Sequence, residues 1–170
     1  MIGDPNLNAS KRHRELYNIF FNSPYFKKMV IKQEVSVRDL VPAYPTARHK
    51  TDWYIKDLGV IIEIMGEQHS KPVNFGGVHT HIVRTEFGNI KKRDNMKKHA
   101  LIEEGYTYVE LWYNEPLTEQ YVISKIEKCV TQSKNNTTPQ VENTKSFEEK
   151  ANLDINKRQK ALAKKFGRRK

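Results

Sequence analysis

Hydrophobic positions recur with two different periods along the first 130 residues of the chain. Residues 10–21 follow a helical period, with Leu16, Ile19 and Phe20 on one apolar face, and Ser10 is a residue type that caps helix N-termini. Residues 33–40 instead alternate between apolar and polar side chains, a period of two that predicts a half-buried strand. The pattern therefore predicts a helix followed by the first strand of a sheet.

The centre of the chain predicts two strands joined by a tight turn. The first strand is expected over 52–55, and Gly59 permits the turn that follows it. Residues 60–65 are almost continuously apolar, which is typical of a strand buried on both faces. Residues 70–89 contain glycines and show no clear period, so we expect a long loop or a short hairpin there.

The second half predicts a helix, a strand and a helix, over 91–104, 106–112 and 116–130. In the first of these helices the side chains expected to face the core are Met96, Ala100 and Leu101, and Gly105 ends the helix. The element order α-β-β-β-α-β-α indicates an α/β (α+β) fold in which helices flank a mixed sheet.

Charge divides the chain into a folded domain over 1–130, a polar linker over 131–145 and a basic tail over 146–170. The net charge is +10, and residues 131–170 contain 11 Lys or Arg against 4 Asp or Glu. A polyanion such as DNA is the simplest partner for this excess, and a solubilising tail is the alternative. The tail cations assigned to DNA are Lys157, Arg158, Lys164, Lys165, Arg168 and Arg169.

The same composition argues against a membrane or secreted protein. No apolar run approaches the roughly 20 residues of a membrane span, and the first residues do not resemble a secretion signal. The single cysteine, Cys129, excludes an internal disulfide and fits a reducing compartment. We therefore expect no membrane partner and a cytoplasmic location.

A carboxylate inside an apolar strand is the strongest chemical feature of the sequence. Glu63 is flanked by Ile62 and Ile64, and a buried carboxylate without a partner is costly. Asp52 lies on the preceding strand, so the two acids can converge on one edge of the sheet. With the main-chain carbonyl of Ile64 they would offer hard oxygen ligands for Mg²⁺, with Mn²⁺ as a substitute. The alternative is a turn aspartate and an edge-strand glutamate, both solvated.

Four further residues are candidates for catalysis beside these acids. Gln68 and His69 follow the buried strand, where an imidazole can accept a proton from attacking water or donate one to a leaving group. Asp94, expected to open the next helix, would orient His69 or add to the metal shell. Glu15, on the first helix, is a third candidate ligand. The alternatives are a locally bonded loop histidine for His69, a helix N-terminal acid that favours the dipole for Asp94 and an ordinary surface glutamate for Glu15.

Cations cluster on the helix predicted over 91–104. A helix N-terminal half rich in lysine and arginine suits a phosphate backbone, and these residues are Lys91, Lys92, Arg93, Lys97 and Lys98. His79 and His81 would share a face if they lay on a strand, a spacing that can bind a transition metal. No typical partner ligand follows them, so contact between this glycine-rich segment and substrate is the preferred interpretation.

Taken in order, these residues resemble a known family. Asp52, Glu63, the segment Gly66-Glu67-Gln68-His69, the pair Arg93-Asp94, the pair Gly105-Tyr106 and the segment Trp112-Tyr113-Asn114 resemble the PD-(D/E)XK nuclease superfamily. The branch they most resemble is the very-short-patch-repair type, which includes phage and intron homing endonucleases. The resemblance covers about 10–130 and implies a restriction-endonuclease-like αβββαβ core.

The resemblance also implies roles for individual residues. Asp52 falls on the family's metal-binding aspartate, Glu63 on the glutamate of the wider superfamily and Glu15 on the first-helix glutamate. His69 falls on the catalytic histidine and Asp94 on the later aspartate. The implied activity is Mg²⁺-dependent hydrolysis of phosphodiester bonds in DNA, inside a bacterial host cell if the chain is encoded by a phage.

The sequence departs from the family pattern at two places. Met65 occupies the position of the usual lysine, two residues after Glu63, and an apolar side chain cannot polarise water. That role would pass to His69, to Gln68 or to one of the lysines of the following helix. A cysteine-based zinc site is also absent, since the chain has one cysteine.

We therefore expect a Mg²⁺-dependent DNA endonuclease. A structure-selective Holliday junction resolvase, acting as a homodimer, is one alternative. A nucleic-acid-binding module with a nuclease fold and no catalysis is the other, and the methionine at position 65 favours it. RNA stays open as a substrate.

Overall fold

A four-stranded mixed sheet, in the order β1-β2-β3-β4, forms the centre of the fold. The computed structural model describes residues 2–74 and 80–136, and in this part the chain is an α+β protein. The strands are β1 (Ile31–Ser36), β2 (Lys50–Ile55), β3 (Val60–Met65) and β4 (Thr107–Trp112). The helices are α1 (Lys11–Asn22), α2 (Val37–Leu40), α3 (Thr80–Glu103) and α4 (Glu119–Asn136).

The connections follow from the direction of each strand. β1 with β2 and β2 with β3 are antiparallel pairs, whereas β3 and β4 are parallel. A parallel pair needs a crossover, which α3 supplies. The β2–β3 connection is a short 3-10 turn, Lys56–Leu58, that ends at Gly59 with φ of +61°, a left-handed conformation that glycine adopts without strain. The predicted turn is thus confirmed.

Two apolar clusters lie on opposite faces of the sheet. On one face Trp53, Ile62 and Val109 pack with α1 and α4, whose buried residues there are Leu16, Phe20, Val122 and Ile126. On the other face Ile61 packs with residues from α2, the chain after it and α3, namely Val37, Val41, Tyr44 and Leu101. β3 is therefore buried on both faces, as its apolar run predicts.

The largest error of the sequence prediction lies between β3 and β4. Part of the expected loop over 70–89 is helical, because α3 begins at Thr80 rather than near residue 91. Val83, Phe87 and Ile90 are spaced by four and three residues, a helical period that the glycines obscured. Gly88 is tolerated inside the helix, where it costs about 1 kcal/mol relative to alanine but does not break it.

Several smaller predictions also need correction. The first strand ends at Ser36 rather than Leu40, because the chain turns there into α2. Met96 does not face the core: its side chain is exposed, and the adjacent Lys97 is the buried residue. The last helix continues to Asn136, six residues beyond its predicted end.

The contacts divide the chain into two units. Met1–Ser133 is the first, and it contains the whole sheet. Of the second, Lys134–Lys170, the structure describes only 134–136, so the basic tail lies outside the described residues. None of the described helices combines the length and the apolarity that a membrane span requires.

Candidate functional site

A cavity of about 380 Å³ lies where β2 begins and β3 ends. Its wall is formed by the N-terminus of α1, by β1, by the chain entering β2 and by α3. The structure brings eight of the predicted site residues to this cavity: Asp52, Glu63, Ile64, Gln68, His69, Arg93, Asp94 and Lys97. Most of the lining is polar and charged, as expected of a reaction or binding site rather than of a packing defect.

The cavity forms because β2 and β3 separate at the two carboxylates. Their antiparallel pairing runs from Ile55 and Val60 to Trp53 and Ile62, and the next register position would place Asp52 opposite Glu63. Instead the Asp52 Oδ2 atom accepts a hydrogen bond from the Ile64 amide at 2.7 Å. The Asp52 side chain thus takes the place of a β2 main-chain carbonyl as the acceptor for the Ile64 amide of β3. Since the N–H and C=O of one strand residue point to the same side, the Ile64 carbonyl also points toward β2.

Glu63 carries the most perturbed carboxylate of the site. It is 6% exposed, and its Oε2 atom forms a salt bridge of 2.9 Å with Lys97 Nζ. Its Oε1 atom has no hydrogen-bond partner among the described residues. Burial raises the pKa of Glu63, Lys97 opposes that rise and Asp52 adds to it, so that the pKa reaches about 7. A second cation near Oε1 would relieve this cost.

Lys97 provides the ammonium group that Met65 cannot. It reaches the sheet from α3, it also donates to the Lys50 carbonyl at 3.1 Å, and its side chain is 8% exposed. A lysine buried beside a carboxylate opposes its protonation and can contact a reacting group beside it. Because its ammonium group lies on Glu63 at the cavity, Lys97 could reach DNA only inside the cavity, and its predicted role as a DNA contact stays a prediction.

His69 and Asp94 form a hydrogen-bonded pair on the same side of the cavity. The His69 Nδ1 and Asp94 Oδ2 atoms are 2.5 Å apart, and both side chains are largely buried. Burial alone would raise the pKa of Asp94, but the hydrogen bond and charge of His69, with Arg93 and Lys97, outweigh it and the pKa is lowered. Asp94 thus fixes the imidazole orientation and leaves Nε2 as the nitrogen available for chemistry.

The local chain explains where His69 lies. It ends a 3-10 turn, Glu67–His69, directly after β3. A Cβ atom on Gly66 would lie 2.5 Å from the Gln68 side-chain oxygen, so glycine allows Gln68 to fold back over the turn. Asp94 lies in the middle of α3 rather than at its start, so the predicted helix-opening position is wrong although the two side chains meet.

Other predicted residues lie elsewhere. Glu15 does not line the cavity; its half-exposed side chain is 3.8 Å from Lys11, so the structure does not bring the expected third ligand to the acids. Lys98 forms a salt bridge of 2.8 Å with Glu110, and Lys91 lies over the Phe87 ring. Lys92 is exposed and stays a candidate phosphate contact.

Two groups of predictions fall partly or wholly outside the described residues. The first group is the histidine pair: His79 lies outside the described residues, and His81 lies in α3, so the strand geometry assumed for the pair does not hold. The second group is the basic tail, which lies wholly outside the described residues. The roles of its cations stay predictions from the sequence: Lys157, Arg158, Lys164, Lys165, Arg168 and Arg169.

The cavity wall also includes residues that the sequence pattern did not assign to it, and three of them make informative contacts. Glu34 has φ of +47° and lies at the position where the pairing of β1 with β2 is interrupted, between Gln33 and Val35, and its carboxylate accepts hydrogen bonds from Asn6 and Lys50. His13 lies on α1 and stacks on Trp53 with ring centroids 4.5 Å apart. His49 precedes β2 and hydrogen-bonds to Tyr44. The signal for His49 in the sequence is the polar triplet Arg48-His49-Lys50, which leads into β2.

The donor set fits one divalent cation bound by few protein ligands. The described residues hold no cluster of three or more acidic, histidine or cysteine side chains suited to a metal. They do offer the unpartnered Glu63 Oε1 atom, the second Asp52 oxygen and the Ile64 carbonyl beside them. Mg²⁺ is commonly bound by one or two carboxylates with the remaining positions left to water and phosphate oxygens. The arrangement is therefore compatible with Mg²⁺ and less so with zinc.

Comparison with known proteins adds no assignment: the chain matches no protein-family model, and neither a curated protein nor a solved structure is significantly similar to it.

Proposed function

We propose that this chain is a metal-dependent DNA endonuclease that hydrolyses phosphodiester bonds on a restriction-endonuclease-like core of the PD-(D/E)XK type. The observation that carries the proposal is the meeting, in one cavity, of a buried carboxylate–lysine pair with a second carboxylate and a histidine–aspartate pair. Asp52 and Glu63 with Lys97 could hold a metal ion, and His69 with Asp94 could transfer a proton, which are two of the functions used in metal-dependent phosphodiester hydrolysis.

Each residue has a defined task in this proposal. Asp52, Glu63 and the Ile64 carbonyl would hold Mg²⁺, which when bound polarises a phosphoryl oxygen and lowers the pKa of water. Lys97 opposes protonation of Glu63 and fixes its carboxylate at the point where β2 and β3 separate. His69, through Nε2, accepts the proton of the attacking water, and Asp94 stabilises the imidazolium that results. Gln68, beside His69, donates to or accepts from the substrate.

Cleavage assays with the full-length protein test the proposal. We expect Mg²⁺ or Mn²⁺ to support cleavage of at least one substrate in a panel of duplex plasmid, mismatched duplex, four-way junction, single-stranded DNA and RNA, and EDTA to abolish it. Paired incisions in the junction would identify a resolvase, and RNA cleavage alone would correct the substrate class. No cleavage of any substrate with either metal would overturn the proposal.

The second candidate function is a nucleic-acid-binding module without catalysis. It is favoured by the absence, within 2–74 and 80–136, of a three-ligand metal cluster. Its signature in the same panel would be binding that neither requires a divalent cation nor leads to turnover.

The tail contributes to this function through charge. Deleting residues 137–170, which follow the end of α4, is expected to weaken DNA binding and to flatten its dependence on salt. The slope of log K against log salt changes by about 0.9 for each phosphate that the protein neutralises, so a protein with fewer cations on the DNA has a shallower slope. Binding isotherms at several salt concentrations measure both effects. An unchanged slope would make the tail a solubilising segment.

A further inference from the structure

A second histidine of the cavity has no task in the mechanism above. His49 lines the same cavity as Asp52, Glu63 and His69, on the chain that enters β2. Its carbonyl accepts a hydrogen bond of 2.9 Å from the Val37 amide, which fixes its backbone. Its side chain is fixed as well, because the Tyr44 hydroxyl lies 2.7 Å from Nδ1. Tyr44 is only 3% exposed and belongs to the core cluster around Ile61.

The hydrogen bond to Tyr44 determines the tautomer of His49. A neutral imidazole has one donor and one acceptor nitrogen, and a phenol has one proton to donate. If Tyr44 donates to Nδ1, both groups are satisfied and the ring proton lies on Nε2. The opposite arrangement would leave a buried tyrosine proton with no acceptor in the described part of the chain, which is unfavourable.

The charge state of His49 follows from its surroundings. Burial and the positive charges of Arg93 and Lys97 lower the pKa of His49, while Asp94 opposes them weakly. Burial also raises the pKa of Tyr44, which keeps its proton. His49 therefore presents a neutral Nε2–H group, and this nitrogen has no partner among the described residues.

We propose that His49 is a second catalytic imidazole of this site, which donates its Nε2–H to a non-bridging oxygen of the scissile phosphate while Tyr44 holds it in the required tautomer. The inference rests on the proposed nuclease function and assigns His49 a task different from that of His69. His69 exchanges a proton, whereas His49 stabilises developing negative charge without losing its own. No proton, electron or bond is transferred at His49.

Three variants of the full-length protein test this assignment on the substrate that the wild type cleaves. His49→Ala is expected to lower kcat by about 10²-fold or more, as for removal of one preorganised donor, and to change binding of uncleaved DNA little. His49→Gln, whose amide can place an N–H near the position of Nε2, is expected to recover part of the rate. Tyr44→Phe keeps the apolar packing and is expected to lower kcat by about 10-fold without raising KM, because the tautomer is no longer fixed.

The matched control is His99→Ala on the exposed face of α3, which does not line this cavity and is expected to cleave normally. Thermal unfolding of each variant separates a loss of rate from a loss of fold. Normal cleavage by His49→Ala, or equal losses for the alanine and glutamine variants of a folded protein, would overturn the inference while leaving the nuclease proposal intact. Absence of cleavage by the wild type would overturn both.

Discussion

Replacement of Asp52 by asparagine is expected to lower Mg²⁺-dependent cleavage by about 10³-fold or more while DNA binding persists. The loss follows because the amide keeps the shape of the side chain but removes the negative charge that a divalent cation needs, and about 4 kcal/mol of transition-state stabilisation corresponds to this factor. Asparagine can still accept the hydrogen bond from the Ile64 amide, so the separation of β2 and β3 at this point should persist. Alanine would instead leave that amide unpaired and add a cost of about 1–3 kcal/mol.

The structure offers a matched control at the other end of the same hairpin. Asp57 also accepts a hydrogen bond from a main-chain amide, that of Val30 at 2.6 Å, but it is exposed and does not line the cavity. Asp57→Asn is therefore expected to cleave at the wild-type rate. Single-turnover cleavage and DNA binding in the absence of metal are measured for both variants, and equal rates for Asp52→Asn and the wild type would reject Asp52 as a metal ligand.

A stability measurement separates this effect from damage to the fold. Asp52 adds to the rise in the pKa of the Glu63 carboxyl, so its charge opposes ionisation of the buried group. In the metal-free protein, Asp52→Asn is therefore expected to unfold at the same temperature as the wild type or at a higher one. Such a gain in stability with a loss of activity is typical of residues kept for function.

The strands that carry the acids could be predicted because their signals are local. The apolar run predicts the buried strand β3, and the one carboxylate within it predicts that Glu63 is buried and needs a partner. Gly59 predicts the turn before β3. The convergence of Asp52 with Glu63 then follows from antiparallel register alone. His69 ends the short turn after that strand, so its position near the acids is also a local property of the chain.

The partners of these groups could not be predicted in the same way, because they come from distant segments. Lys97 lies 34 positions from Glu63 along the chain, and the sequence does not distinguish it from the other lysines of the same helix. Which of them faces the sheet depends on the rotation of α3 about its axis, and the predicted rotation, with Met96 in the core, is wrong because Met96 is exposed and Lys97 is buried. His49 is identified as a site residue by its hydrogen bond to Tyr44 and by its place in the cavity wall, and both depend on the tertiary structure.

Replacement of Lys97 by methionine is expected to reduce both stability and cleavage. Methionine fills a similar volume but leaves the Glu63 carboxylate buried without its counter-charge, and breaking a buried pair in this way typically costs about 3–5 kcal/mol. Cleavage should fall below detection, because Glu63 would then be protonated or displaced and no ammonium group would reach the site. Urea unfolding and single-turnover cleavage of the same preparation measure the two losses.

Lys98→Met, one position further along α3, is the matched control. Lys98 also pairs with a strand glutamate, at 2.8 Å from Glu110, but the lysine side chain is 40% exposed. Pairs of this kind contribute about 0–1 kcal/mol, so this variant should stay nearly as stable as the wild type and should retain most of its cleavage.

The double variant Lys97→Met with Glu63→Gln separates the chemical role of the pair from its structural role. No buried charge is left without a partner, so much of the lost stability should return, as when a buried ion pair is replaced by neutral groups. Cleavage should stay absent, because both the carboxylate and the ammonium group are missing. If the folded double variant cleaved DNA, the buried pair would be a structural element only, and the active site would have to be sought among the other residues of the cavity.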